Sequence, residues 1–248
     1  MVAVQQETHG ARRAVFVPVD SQARVDVVVR RLGNAIELGL LEDGEQLPGE
    51  LELASLLGVS TVTLREALVT LRTRGLLTTR RGRGGGSFVT LPAAPPAERL
   101  HEQLADWSTE ELRDLGDHWA AVSGAAAHLA AQRTEPGDLV PMQRSLQALR
   151  QAREPAERAR IYGRFHVEAA AAAQSARLTR AAISLQAEAG ALMCLVLADN
   201  SYAEDVTRRH HDVICALQNG AGDQARALME ECVRASMAHL VELRLRTL

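Results

Sequence analysis

The segment that most constrains the fold of this chain is residues 58–89, which read GVSTVTLREALVTLRTRGLLTTRRGRGGGSFV. Apolar residues recur at helical spacing in its first half, and Ser60 or Thr61 supplies a hydroxyl that caps such a helix. In its second half, 76–81 and 87–91 alternate like two short strands around a glycine-rich turn. The segment therefore predicts an amphipathic helix followed directly by a small hairpin with arginine near its tip.

Two more helical patterns precede this segment. Residues 21–41 carry valine and leucine at helical spacing, and residues 47–58 form a second, shorter pattern with Pro48 near its start. Ala54 and Gly58 stand four residues apart, as a close helix crossing and a sharp turn require. Together the three helices and the hairpin predict a helix-turn-helix with a wing.

Positive charge is concentrated in the same region. The whole chain has a formal net charge of −3, yet residues 60–91 hold six arginines against one glutamate. This local excess is typical of a surface that docks on an anionic polymer. Hydroxyl and guanidinium groups on the third helix suit base edges and phosphates, and an arginine–glycine tip suits a minor groove. The predicted DNA contacts are Thr61, Thr63, Arg65, Arg72, Arg80, Arg81, Gly82 and Arg83.

Two other interpretations apply to parts of this pattern. Residues 82–87, GRGGGS, have the composition of a phosphate-cradling loop, but no helix follows them as a nucleotide site requires. An arginine-rich helix is also compatible with a plain solvated face. The turn, the cap and the wing in this order favour binding to double-stranded DNA.

The rest of the chain shows only helical patterns. Three prolines within 91–98 mark a linker, which we place at 92–98, after an N-terminal arm at 1–20 and a DNA-binding domain at 21–91. Residues 99–248 predict about six or seven helices and no strand. Breaks fall at 134–138, 153–157, 174–178, 198–205 and 219–223. The predicted fold class is mainly α, with a winged helix-turn-helix domain and an all-helical bundle.

The sequence also predicts where the protein works. It contains no run of 18 apolar residues and no apolar block with a cleavage site near its start, so we expect no membrane span and no secretory signal. Three cysteines are too few and too odd in number for a disulfide framework. These features predict a cytoplasmic protein.

The motif LPGELELASLLGVSTVTLREALVTLRTRGLL…GGSFV resembles the winged helix-turn-helix domain of the GntR family of bacterial transcription regulators, over 21–91. The family often has basic residues at the positions of Leu51 and Thr61, and both commonly contact DNA. This chain departs from the family there, although it retains Arg65. The resemblance implies a transcription regulator whose operator differs from the family's common one.

Four segments in the second half resemble the all-helical, fatty-acid-responsive subfamily, known as FCD-type, over about 90–246. They are LAAQR (129–133), FHVEAAAAA (165–173), RHHDVICALQNG (209–220) and ARALMEEC (225–232). The resemblance implies a bundle that senses a small-molecule effector and forms a homodimer. The expected effector pocket contains Trp119, Tyr162, His166, Met193 and His210. Such a pocket suits a larger, more apolar metabolite, and the alternative is that Trp119, Tyr162 and Met193 are ordinary core residues.

Many members of that subfamily bind a metal through an aspartate, a histidine four residues later and two further histidines. Here these positions hold Tyr162, His166, His210, which has a second histidine beside it, and Cys232. Loss of the aspartate removes the charge that a hard metal requires, so we expect no tightly bound metal. The alternative is zinc or a similar ion on the two histidines and the cysteine, with a carboxylate effector in its open positions.

These observations predict a homodimeric, effector-responsive transcription regulator, a repressor more than an activator, that binds a palindromic operator and is not an enzyme. Two alternatives remain. One is a metal-dependent enzyme built on His166, His210 and Cys232, for which the spacing supplies no general base. The other is an architectural DNA-binding protein without an effector.

Overall fold

The computed structural model describes residues 25–82 and 84–246, which form two compact units. The first unit comprises 25–36 and 40–92, and the second comprises 37–39 and 93–246. The predicted arm at 1–20 and the predicted DNA contact Arg83 lie outside the described residues.

Three helices build most of the first unit: α1 (Val25–Glu37), α2 (Glu50–Leu57) and α3 (Thr61–Thr73). Helix α2 ends at Gly58, whose φ of 67° places it in the left-handed region. The axes of α2 and α3 are bent by 104° at the turn between them. The side chain of Ser60 then caps α3. Their buried apolar residues include Val28, Leu32, Ile36, Leu53, Leu57, Leu64, Leu68 and Leu71.

A hairpin follows α3. Strands β1 (Leu77–Arg80) and β2 (Gly86–Val89) pair antiparallel. Residues 45–47 run along the other edge of β2, where the Leu47 N–H donates to the Ser87 carbonyl at 2.9 Å. Because β2 is paired on both edges, the base of the hairpin is fixed to the helices while its tip projects beyond the paired residues.

The second unit is helical. Its helices are α4 (Ala97–Ala105), α5 (Thr109–Arg133), α6 (Val140–Gln151), α7 (Pro155–Ala172), α8 (Ala176–Ala189), α9 (Met193–Val196), α10 (Asn200–Gln218) and α11 (Gly222–Arg246), with 3₁₀ turns at Pro136–Leu139 and Gly190–Leu192. Helix α4 begins inside the segment predicted as the linker at 92–98. The described residues thus contain one or two more helices than predicted. The predicted mainly α fold class is confirmed.

The two longest helices, α5 and α11, pack against each other. A Cβ atom added at Gly124 would lie 2.5 Å from Cγ of Glu230, and one added at Gly116 would lie 3.2 Å from Cβ of Met237. The two glycines therefore allow a close approach that larger residues would prevent. Helix α7 packs on α5, α6 and α8, so its inward side chains lie in the middle of the bundle.

Within the described ranges, no single helix is long and apolar enough to cross a membrane. Helices α2 and α3 meet that criterion together by length and composition alone. They are also the two helices of the bent pair described above.

Candidate functional sites

The first candidate site is the exposed N-terminal end of α3. The Ser60 hydroxyl accepts a hydrogen bond from the Thr63 backbone N–H at 3.1 Å, and it shares another with the Thr63 hydroxyl at 2.8 Å. Thr63 is therefore engaged in the helix cap, while Thr61 is half-buried beside it. The cap fixes the first turn of the helix and so the direction in which its side chains project.

Arg65 projects from the same end of α3. Its Nε donates to Oε2 of Glu50 on α2 at 2.7 Å, and 66% of the arginine side chain is exposed. This bond uses Nε. Among the described residues, the two terminal amino groups of Arg65 therefore stay accessible to a base edge or a phosphate. Glu50 thus positions Arg65 without occupying the terminal amino groups, which are the donors predicted to contact DNA. Arg72 lies two helical turns further along and is half-buried.

The hairpin supplies the remaining predicted contacts. The Arg80 guanidinium lies over the Phe88 ring, 4.3 Å from its centroid, so a cation–π contact holds this arginine at the turn end of the paired strands. Arg81 and Gly82 are exposed at the tip, and Gly82 adopts a φ of 98° that favours glycine. The structure therefore separates Arg80, which packs against Phe88, from Arg81, which is exposed.

Gly85 sets the shape of the hairpin tip. A Cβ atom at this position would lie 2.4 Å from the Arg80 carbonyl oxygen and 2.9 Å from that of Gly82. We expect Gly85→Ala to open the turn, destabilise the first unit by about 1–3 kcal/mol and weaken DNA binding. Urea unfolding and fluorescence anisotropy measure the two effects. Gly137→Ala is the control, because its Cβ would meet nothing within 4 Å. Equal effects of the two substitutions would contradict the prediction.

The second candidate site is a cluster buried in the bundle. His166 on α7, His210 on α10 and Cys232 on α11 place one ligand atom each within 4.8 Å of one another. All three are at most 2% exposed, and among the described residues none of the four imidazole nitrogens has a hydrogen-bond partner. A buried polar atom without a partner costs free energy, so a ligand that bonds these nitrogens would stabilise the arrangement. We refer to these three residues as the His–His–Cys cluster.

Aromatic rings fix the two imidazoles. The Phe165 ring stacks on His210 with centroids 3.7 Å apart, and Tyr162 and Trp119 lie 4.5 and 5.9 Å from His166. The predicted pocket residues Trp119, Tyr162, His166 and His210 are therefore brought together. Met193 is fully buried in the same apolar core as Trp119 and Cys232.

Burial keeps the cluster neutral. It lowers the pKa of His166 to about 3, and burial together with the neighbouring His166 lowers the pKa of His210 well below its usual value. Burial also raises the pKa of the Cys232 thiol to about 12. Both imidazoles therefore hold free lone pairs at neutral pH, which is the protonation state that binds metals.

Ser236 is a site residue that the sequence patterns did not single out. The hydroxyls of Tyr162 and Tyr202 both donate to its Oγ at 3.1 Å, and this Oγ donates in turn to the Cys232 carbonyl at 3.1 Å. Its position four residues after Cys232 on one helix was the available signal. Tyr162, which stands where the resembled subfamily has aspartate, is thus committed to Ser236 through its hydroxyl.

Removing the shared acceptor should cost more than removing one donor. We expect Ser236→Ala to lower the free energy of unfolding by about 1–3 kcal/mol, because it leaves the hydroxyls of Tyr162 and Tyr202 without an acceptor. Tyr162→Phe should cost about 0.5–1.5 kcal/mol, because it removes a single hydrogen bond. Urea unfolding of the two variants gives the comparison. An equal or smaller cost for Ser236→Ala would contradict this assignment.

The donor set fits one class of metal. Two imidazoles and one thiol suit zinc and similar borderline ions, whereas hard ions require several oxygen ligands. The neighbouring His211 is exposed and lies 3.6 Å from Asp212, so His210 is the histidine that faces the cluster. The residues present therefore fit a zinc-type ion, with positions left open for a further ligand.

Comparison with known proteins agrees with both units. The profile of the bacterial regulatory proteins of the gntR family matches residues 24–86, and the profile of the FCD domain matches residues 114–235. A protein of Mycobacterium gastri named as an HTH-type transcriptional regulator, RmpR, is 38% identical over 224 residues, which cover 90% of this chain and 82% of the relative.

Two further comparisons extend this finding. A protein of Escherichia coli (strain K12) named as an L-lactate dehydrogenase operon regulatory protein is 32% identical over 87% of this chain and 83% of its own length. The solved structure of E. coli McbR/YncC has the same fold, with a TM-score of 0.53 at 21% identity, over 89% of this chain and 99% of that one. The chain therefore belongs to the GntR family, in the group with an FCD domain, and is a DNA-binding transcription regulator.

Proposed function

We propose that this regulator acts in the cytoplasm as a homodimeric repressor that binds a palindromic operator and releases it in response to a small-molecule effector. The observation that carries the proposal is the coexistence of an exposed Arg65 on α3 with a buried, unsatisfied His–His–Cys cluster in the helical unit. The first suits a base edge, and the second requires a ligand. A protein that only shaped DNA would need no such cluster.

On the DNA side, the N-terminal end of α3 enters the major groove. Thr61 and Arg65 approach the bases there, Arg72 approaches a phosphate further along, and the hairpin tip with Arg81 approaches the adjacent minor groove. Thr63 acts through the cap it shares with Ser60. A palindromic operator follows if two copies of the chain present the same surfaces.

On the effector side, we propose that the His–His–Cys cluster holds a zinc-type ion. The expectation of no tight metal rested on residue types, whereas the four unpartnered imidazole nitrogens favour occupancy. When bound, the ion supplies an electrophilic centre for a carboxylate or another anionic group of the effector. Trp119, Tyr162 and Met193 contribute apolar surface that suits a larger metabolite.

Effector and DNA must influence each other's affinity by the same factor, because binding free energies are linked. The deciding experiment selects DNA from a random pool with the full-length protein and then measures its dissociation constant with and without candidate metabolites. We expect one palindromic sequence to be enriched and at least one metabolite to weaken its binding. Sedimentation should show a dimer. Enrichment without any metabolite effect would favour an architectural role, and no enrichment would overturn the DNA-reading function.

A further inference from the structure

The start of α3 exposes an apolar side chain among polar ones. Val62 is 63% exposed, although the apolar residues at positions 64, 67, 68 and 71 of the same helix are almost completely buried. Val62 stands three residues before Arg65, so the two side chains share one face of α3. On this face of α3, the terminal amino groups of Arg65 are accessible to a base edge.

A second exposed apolar side chain lies beside Thr61 and Arg65, the residues of α3 on either side of Val62. Leu51, in the first turn of α2, is 79% exposed, and it lines a cleft together with Thr61 and Arg65. An exposed leucine and an exposed valine thus lie in the first turns of α2 and α3, and their burial against a partner would be favourable. The charge around them argues for DNA as that partner, because residues 60–91 carry six arginines against one glutamate.

Thymine is the base whose major-groove edge matches an aliphatic side chain. Each base pair presents a distinct pattern of hydrogen-bond donors and acceptors in the major groove, and the thymine 5-methyl group is the apolar group in that pattern. Hydrogen-bonding side chains read the other bases, so Val62 has nothing to offer a guanine or a cytosine edge. We infer that Val62 reads the 5-methyl group of a thymine beside the base pair contacted by Arg65 in each operator half-site; this inference rests on the DNA-reading function proposed above.

Deoxyuridine provides the test, because it lacks the 5-methyl group and pairs as thymine does. In the selected operator, each thymine is replaced singly by deoxyuridine, and binding is measured by fluorescence anisotropy at one fixed salt concentration. We expect one position per half-site at which the wild-type protein binds about fourfold more weakly, the loss that corresponds to one buried methyl group. At that position Val62→Ala should bind the thymine and deoxyuridine operators equally.

Val69→Ala is the matched control. Val69 is 54% exposed on the same face of α3, two turns further from the N-terminal end. It should keep the wild-type fourfold sensitivity to deoxyuridine, and circular dichroism should show that both valine variants keep the fold. The inference is overturned if the wild type tolerates deoxyuridine at every position, or if Val62→Ala retains the full penalty. A protein that enriches no sequence in the selection instead overturns the DNA-reading function itself.

Discussion

Arg65→Ala should weaken binding to the selected operator by about five- to 150-fold per half-site, the range that corresponds to one bidentate base contact. The structure supplies the reason: Glu50 holds the Nε atom at 2.7 Å while the terminal amino groups remain exposed. Affinity for unrelated DNA should fall much less, because that binding depends on overall charge. Fluorescence anisotropy with both DNAs at fixed salt measures the ratio.

The chain offers a close control for this variant. Arg226 is also exposed and also pairs through Nε with a glutamate, Glu230 at 3.3 Å, but it lies on α11 in the helical unit. Arg226→Ala removes the same charge and the same kind of ion pair, and it should leave operator selectivity unchanged. If Arg65→Ala retained selectivity, or if Arg226→Ala lost it equally, the placement of the reading surface on α3 would be wrong.

Cys232→Ala should lower the affinity of the bundle for zinc or cobalt by more than about a hundredfold, because even the loss of a residue behind a metal ligand costs ten- to a hundredfold. In the wild-type protein, Co²⁺ should produce a thiolate-to-cobalt charge-transfer band in the near ultraviolet, and the variant should lack it. Cys215→Ala is the control, since Cys215 is a half-buried cysteine on α10 outside the cluster. A wild type that binds neither ion would overturn the metal proposal.

Metal removal gives the same proposal a second readout. An ion present at about 100 times its dissociation constant stabilises the folded state by about 2.7 kcal/mol. For a unit of this size that corresponds to a fall in Tm of about 5–10 °C when a chelator is added. The fall should vanish in Cys232→Ala and persist in Cys215→Ala.

The first unit was predictable because its signals are local. Helix spacing, the four-residue interval between Ala54 and Gly58 and the glycine-rich turn each depend on neighbours in sequence, and the structure contains the corresponding elements. Strand β1 was predicted one residue too long at each end, and β2 was predicted to begin one residue late and to end two residues late. Residues 45–47 and the glycines decide where pairing stops. The engagement of Thr63 in the cap was equally readable from its position three residues after Ser60.

The bundle was predicted less closely because its breaks follow packing. The interruption between α4 and α5 at Ser108, whose capping box with Glu111 was visible in the sequence, was not predicted. Nor was the turn at Gly190–Leu192. The predicted break at 198–205 extended too far, because α10 already begins at Asn200 under the cap of Asp199. Alanine-rich helices give weak boundaries, since alanine has no side-chain hydrogen-bonding group that would mark a cap.

The candidate sites divide in the same way. The resemblance implied that His166, His210 and Cys232 belong to one site, but the distance between them depends on how three helices pack. The stacking of Phe165 on His210 and the shared acceptor Ser236 are tertiary features with no local pattern. The sequence patterns did not indicate the role of Glu50, because its partner Arg65 lies fifteen residues away, across the turn.

The hydrogen bonds of Ser236 and the His–His–Cys cluster both lie where helices α7, α10 and α11 meet, at two levels along these helices. Tyr162 and His166 are one turn apart on α7, Ser236 and Cys232 are one turn apart on α11, and Tyr202 and His210 are two turns apart on α10. Hydrogen bonds already connect the three helices at Ser236, whereas among the described residues no hydrogen bond reaches the imidazoles of the cluster. A ligand that bridges His166, His210 and Cys232 would add a second junction between the same three helices, so their relative rotation would be restricted at two levels instead of one.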